Sequence, residues 1–278
     1  VSNASHPKGR PILGTAKDVV VFLLWNLVVG LAIIFLPAPL GAGVAVAITL
    51  LIVHFYLLQA RRPDPSGRWE ALRLRTMAPH LRLLPVVAAG FVVMVWGLSE
   101  LYMSYVPVPE GQLNPFDWLT GTRGGRFTLV ILAVGLAPVV EEFFFRGLIQ
   151  SRLSRRFGPV IGILVAAALF AAVHLLVWVF PIHFLLGAAF GLVVWVTRSI
   201  WAGVFLHTIN NLLALLGIGM GDAAGPSQPG TGPGDMLALY LAGLVLGGAV
   251  FLWACREIYR RERAETPAVR ETTVSAEA

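Results

Sequence analysis

Six residues whose types could do chemistry lie inside long apolar stretches. They are Glu141, Glu142 and Arg146 in FTLVILAVGLAPVVEEFFFRGL, His174 in ALFAAVHLL, and His207 with Asn211 in FLHTINNLL. An acidic residue at mid-membrane costs roughly 2.5 to 3.5 kcal/mol, so an adjacent pair calls for compensation. On a helix, residues four apart share a face, and an acid placed N-terminal to a base is the favoured order for an ion pair. Glu142 and Arg146 stand in that relation. Glu141 is turned from Arg146 by about 140° at ~100° per residue, so it needs another partner. A carboxylate kept from water without a matching cation holds its proton more tightly, which is what a general base near neutrality requires. His207 and Asn211 are also four apart, so an imidazole and a carboxamide can address one spot, with Asn210 a neighbouring alternative.

The elements that must position these residues are membrane spans. The chain has 278 residues, 57% of them hydrophobic and 13% charged, with a mean hydropathy of +0.77, outside the range of soluble domains. A span needs ~20 apolar residues to cross the hydrocarbon. Eight windows meet that description: Val19 to Leu36, Leu40 to Gln59, Leu83 to Leu101, Phe127 to Leu148, Pro159 to Phe180, Ile182 to Val196, Ile200 to Gly217 and Met236 to Trp253. The expected fold is therefore an all-α polytopic membrane bundle of about eight transmembrane helices enclosing a polar intramembrane cavity. Its parts are a cytoplasmic N-terminal segment over 1–18, a transmembrane domain over 19–253 with the polar motifs at 141–211, and a basic cytoplasmic tail over 254–278.

Charge placement gives an independent reading. Cytoplasmic loops carry the Lys and Arg excess, and an eight-span chain with both termini inside gathers the basic residues on one side. These are Lys8, Arg10 and Lys17, the loop from Arg61 to Arg82, the group Arg146 to Arg156, Arg198, and the tail from Arg256 to Arg270; Arg123 and Arg126 are left outside. The net charge of +6 then reflects topology in a cell membrane and contact with anionic lipid, with no nucleic-acid partner required. A cleaved signal peptide is the competing reading of the first span, disfavoured because Val19 to Leu36 exceeds a usual h-region.

Between the spans, Tyr105 to Arg126 reads as a connector and Ile218 to Asp235 as a Gly/Pro-rich loop, while Arg61 to Arg82 suits an interfacial helix. Cys255 is the only cysteine, which excludes an intrachain disulfide and makes packing its expected role. Packing or local hydrogen bonding is also the expectation for His54, His183 and Asn26, and contact with lipid or neighbouring helices for Phe143 to Phe145. Small residues (Ala166 to Ala168, Ala171, Ala172, Gly187, Gly191) let helices approach closely.

Taken together, the order Glu-Glu-x-x-x-Arg, Phe-x-x-x-His from Phe170 to His174, and His-x-x-x-Asn, on three separate spans, resembles the CPBP intramembrane glutamic endopeptidases. That group includes the CAAX prenyl endopeptidase Rce1 and the bacterial Abi proteins linked to bacteriocin processing and immunity. The resemblance covers Glu141 to Asn211. It implies that Glu141 and His174 activate a water against a scissile carbonyl and that His207 and Asn211 donate to the oxyanion. Glu142, Arg146 and Phe170 would then support the site, and the substrate would be a peptide or membrane protein. It implies no metal or other cofactor. A zinc-dependent variant built on one glutamate and two histidines is the alternative within the class, disfavoured by the absence of His-Glu-x-x-His. A non-catalytic scaffold or bacteriocin-immunity protein is the alternative outside it, and a proton-coupled transporter is weaker because no inverted repeat is visible.

One expectation conflicts with the site. Measured from the inner ends of the windows at 1.5 Å per residue, Glu141 and His207 lie roughly 10 Å deep and His174 roughly 22 Å deep. The mismatch closes if the fourth span continues to Arg156 or the fifth begins outside the hydrocarbon.

Overall fold

A computed structural model describes residues 11–36, 38–61, 76–106, 123–216 and 234–265. Lys8, Arg10, most of the basic loop before Arg82, most of both outer segments and Arg270 lie outside the described residues. The chain is an all-α polytopic membrane bundle, with no strand among the described residues. Its helices are α1 (Pro11–Phe35), α2 (Ala38–Arg61), α3 (Leu84–Tyr105), α4 (Arg123–Phe157), α5 (Pro159–Val173), α6 (Phe180–Thr197), α7 (Ile200–Leu215) and α8 (Leu237–Glu265). These correspond one to one with the eight apolar windows. Four of the helical stretches, Leu84–Tyr105, Arg123–Phe157, Val177–Thr197 and Gly234–Ala264, are long and apolar enough to cross a membrane; shorter apolar stretches lie in α1, α2, α5 and α7.

Several boundaries differ from the sequence reading. α4 does not stop at Leu148 but runs on to Phe157, where Gly158, at φ +88°, takes the left-handed turn that a side chain would resist. Pro159 then starts α5 without the N–H that a first turn leaves unused anyway. α5 ends at Val173 instead of continuing to Phe180, and a short turn over Val177–Val179 leads into α6. α8 passes Trp253 and continues to Glu265.

The helices fall into two compact units. One comprises Val1–Leu74 and Gly111–Gly191, the other Arg75–Glu110 and Leu192–Ala278. In the first, α1 and α2 are joined by Trp25, whose Nε1 donates to Thr49 Oγ1 at 2.7 Å. Phe22 of α1 meets Phe144 and Phe145 of α4 edge-on, at 5.5 and 4.9 Å between ring centroids. Phe143 to Phe145 are therefore core residues, almost fully buried. Asn26 bonds locally, Nδ2 donating to Phe22 O at 3.1 Å.

α4 is not uniform. It widens to i→i+5 turns over Val130–Leu136 and again over Phe143–Gln150. The first wide turn immediately precedes Pro138, which lacks an N–H and crowds the carbonyl one turn back. The second fits Ser151, whose Oγ donates to Arg146 O, five residues earlier, at 2.9 Å.

In the second unit α3 and α8 pack antiparallel through glycines. A Cβ on Gly97 would strike Tyr240 O, and one on Gly247 would strike Met94 N; one on Gly90 would come within 2.6 Å of Phe251 N. Backbone approach this close is possible only without side chains. Where α8 passes Trp253 its packed face carries Ala254, the buried Cys255, Ile258 and Glu262. Glu262 meets His80 Nε2 at 3.1 Å and Arg198 Nε at 3.5 Å, tying the start of α3 and the α6–α7 turn to the end of α8.

Candidate active site

Arg146 is completely buried, and its Nη1 lies 2.9 Å from Glu142 Oε1, itself completely buried. The i, i+4 spacing thus forms the expected pair. Arg146 does more than neutralise Glu142. Its Nη2 donates to Gly187 O of α6 at 2.9 Å, and its guanidinium sits 4.6 Å from the Phe170 ring and 5.4 Å from that of Phe190. One turn further along α4, Gln150 Nε2 donates to Gly191 O at 2.9 Å. Both bonds span the same offset of 41 residues, so α4 and α6 run locally parallel, with α5 returning between them. Glycine gives room at the acceptors: a Cβ on Gly191 would come within 2.6 Å of Gln150 Oε1, and one on Gly187 within 3.1 Å of Ala167 Cα.

The wide turn over Phe143–Gln150 changes the pitch assumed for the 140° angle between Glu141 and Arg146, while the ion pair of Arg146 remains with Glu142. Such a turn brings residue i+5 back toward residue i, and Arg146 is within electrostatic reach of Glu141 as well as Glu142.

The depth conflict also resolves. α4 and α5 pack antiparallel about Gly158, with Ser154 against the Gly162 position and Phe145 edge-on to Phe170 at 5.4 Å. Stepping one further turn in each direction along this register reaches Glu141 on α4 and His174 on α5. Each is some 16 or 17 residues from Gly158. The extension of α4 to Phe157, beyond its apolar window, is what makes the two path lengths similar.

His174 closes α5 and is part-buried. Its Nδ1 lies 2.7 Å from Phe170 O; a carbonyl only accepts, so this nitrogen carries the hydrogen and Nε2 is the acceptor of the neutral ring. Phe170 lies edge-on to His174 at 4.7 Å, which places the Phe-x-x-x-His residue between the Arg146 guanidinium and the imidazole. The following residue, Leu175, has φ +56°, a left-handed conformation unusual for a side chain of that size.

In the second unit, α7 presents His207, 3% exposed, and Asn211 one turn later. Asn210 Nδ2 donates to Asn211 Oδ1 at 3.3 Å. The two carboxamides are therefore neighbours, and the Asn211 amide N–H remains a donor. α7 starts from an extended Ser199, whose N–H donates to Thr197 Oγ1 at 3.3 Å.

Sequence reasoning missed three features. His183 packs and bonds locally to Val179 O as expected, but the ring it packs on is that of His174, 4.3 Å away between centroids, a pairing the sequence did not show. Gln150 continues the Arg146 ladder, and its i+4 position was a readable signal. The backbone oxygens of Gly187 and Gly191 gave none. Among the described residues, no group of three or more His, Cys, Asp or Glu side chains is arranged to hold a metal ion.

Residues 123–213 match the family model described as type II CAAX prenyl endopeptidase Rce1-like. The match supports a CPBP/CAAX protease family assignment for this region. No curated protein and no solved structure matches the chain. The Rce1-like region takes in α4, α5, α6 and all but the end of α7, and every motif residue from Glu141 to Asn211 falls inside it. The family implies a membrane-associated protease with a peptide or protein substrate.

Proposed function

We propose that the protein is a metal-independent intramembrane endopeptidase that hydrolyses a peptide bond near or within the membrane, with access from the cytoplasmic side. The observation that carries this reading is the Rce1-like match over residues 123–213, supported by Phe145 of α4 packing on Phe170 of α5 one turn from Glu141 and His174, and by a Glu142–Arg146 pair already matched in charge. In the proposed reaction Glu141 and His174 Nε2 take a proton from water as its oxygen attacks the scissile carbonyl carbon. His207 and the Asn211 amide donate to the resulting oxyanion. As the intermediate collapses the C–N bond breaks, and the proton held by the Glu141–His174 pair passes to the departing amine. A water activated in this way needs no Lewis acid.

The test uses purified protein in proteoliposomes and internally quenched CAAX peptides, with and without the prenyl group. Glu141→Gln or His174→Ala should lower turnover by about 10²- to 10⁴-fold, and Asn211→Ala by about 10²- to 10³-fold, with unchanged thermal unfolding. Chelator should leave the wild-type rate intact. Wild-type turnover by Glu141→Gln would end this mechanism, and chelator-sensitive activity restored by zinc would replace it with the metal-dependent one. If neither peptide is cut, substrates trapped by Glu141→Ala in native membranes and identified by mass spectrometry define the next probe.

A further inference from the structure

We infer that His183 is a positioning residue for His174, an inference that rests on the hydrolytic reading above. His174 is the C-cap of α5, one residue past Val173. Beyond it the chain turns at Leu175, 81% exposed, and Val177, 76% exposed, so no further helical turn covers the imidazole. The bond from Nδ1 to Phe170 O fixes one atom. The plane of the ring about that bond is held by packing, in which Phe170 lies edge-on at 4.7 Å and His183 at 4.3 Å, inclined by 42°.

His183 is suited to the task because it is itself tethered. Its Nδ1 lies 3.0 Å from Val179 O, in the short turn that leads into α6, and Phe170 also contacts its ring, at 6.4 Å. The two imidazoles therefore stand at either end of the turn between α5 and α6, each donating from Nδ1 to the carbonyl four residues back. Holding the His174 ring in one plane keeps Nε2 directed to one place, and sub-ångström control of a reacting group is worth large factors in rate. Phenylalanine at 183 would keep the ring contact without the tether, asparagine could keep the tether without the ring, and alanine would remove both.

The experiment compares these variants in two readouts. On the cleaved quenched peptide, His183→Ala should lower kcat by about 10- to 100-fold with KM unchanged, and His183→Phe should restore most of it. In protein labelled with ¹³C,¹⁵N-histidine in detergent micelles, the His174 ring should show one sharp set of ring resonances in wild type and His183→Phe, and exchange-broadened or multiple sets in His183→Ala. Should the alanine variant fail to fold, His183→Asn takes its place. The inference is overturned by a wild-type kcat in His183→Ala, by an unchanged His174 ring spectrum there, or by a His183→Phe variant as impaired as the alanine one. The ring-order measurement needs no substrate, so it decides the contact even if an active Glu141→Gln variant removes the hydrolytic reading.

Discussion

Replacing Arg146 by methionine should be among the most damaging single changes in the chain. The side chain is completely buried, and its removal leaves the equally buried Glu142 carboxylate without the guanidinium that stands 2.9 Å away. Breaking one side of such a pair costs about 3 to 5 kcal/mol. The bond to Gly187 O adds little to that, because a carbonyl within a helix keeps its own intrahelical donor. Glu142→Gln should be milder. An amide oxygen remains for Nη1, and the cation keeps Gly187 O and the Phe170 and Phe190 faces, so the loss is that of a charge-assisted hydrogen bond, about 1.5 to 3 kcal/mol. The double variant Glu142→Gln, Arg146→Met should fall short of the sum by about 0.5 to 3 kcal/mol. SDS-induced unfolding of the four proteins in mixed micelles measures each term. A loss below about 1 kcal/mol for Arg146→Met, or strict additivity in the double variant, would refute this account of the pair.

Other substitutions probe other parts of the structure. Gly97→Ala and Gly247→Ala push a methyl into the main chain of the facing helix and should each cost about 1 to 3 kcal/mol, whereas Gly30→Ala, with nothing within 4 Å, should leave the unfolding curve in place or raise it. Gly191→Ala meets Gln150 Oε1 and should be eased by a shorter residue there, so that Gly191→Ala with Gln150→Ala unfolds no earlier than Gly191→Ala alone. Leu175 spends its left-handed φ on an exposed side chain, so Leu175→Gly should be neutral or stabilising by up to about 1 kcal/mol, and Leu175→Val should destabilise; thermal unfolding in detergent separates them.

What could be read from the sequence follows from which interactions are local. The Glu142–Arg146 pair needed only the assumption of a helix, because its geometry is set within one turn. The eight apolar windows became eight helices because hydropathy is a property of each segment by itself. The end of α5 was hidden for the same reason: Leu175 and Leu176 are as apolar as the residues before them, no glycine or proline marks the break, and Pro181, the visible signal, lies several residues too late. The wide turn beyond Glu142 was hidden because Phe143 to Phe145 are as compatible with one helical pitch as with the other. His80 with Glu262 joins positions far apart in the chain, and nothing in either neighbourhood announces the other. The Gly90, Gly97, Gly243 and Gly247 positions did carry a signal, since small residues recurring on one face of two apolar helices invite close packing.

Arg146 and Gln150 bond to main-chain oxygens, and no mutation of α6 can delete an acceptor of that kind. Every turn of α6 offers another carbonyl at the same pitch, so hydrogen bonding alone would accept α6 shifted by a turn in either direction. The glycines remove that degeneracy. One turn away, the donors would meet His183 or Trp195 in place of a bare backbone. Gly191, against Gln150 of α4, and Gly187, against Ala167 and Phe170 of α5, thus act together as a two-notch key that selects a single alignment from a repeating set. Transplanting the notches to 183 and 187 should draw α6 about 6 Å along α4, a one-turn ratchet of the kind that packed helices use in switching.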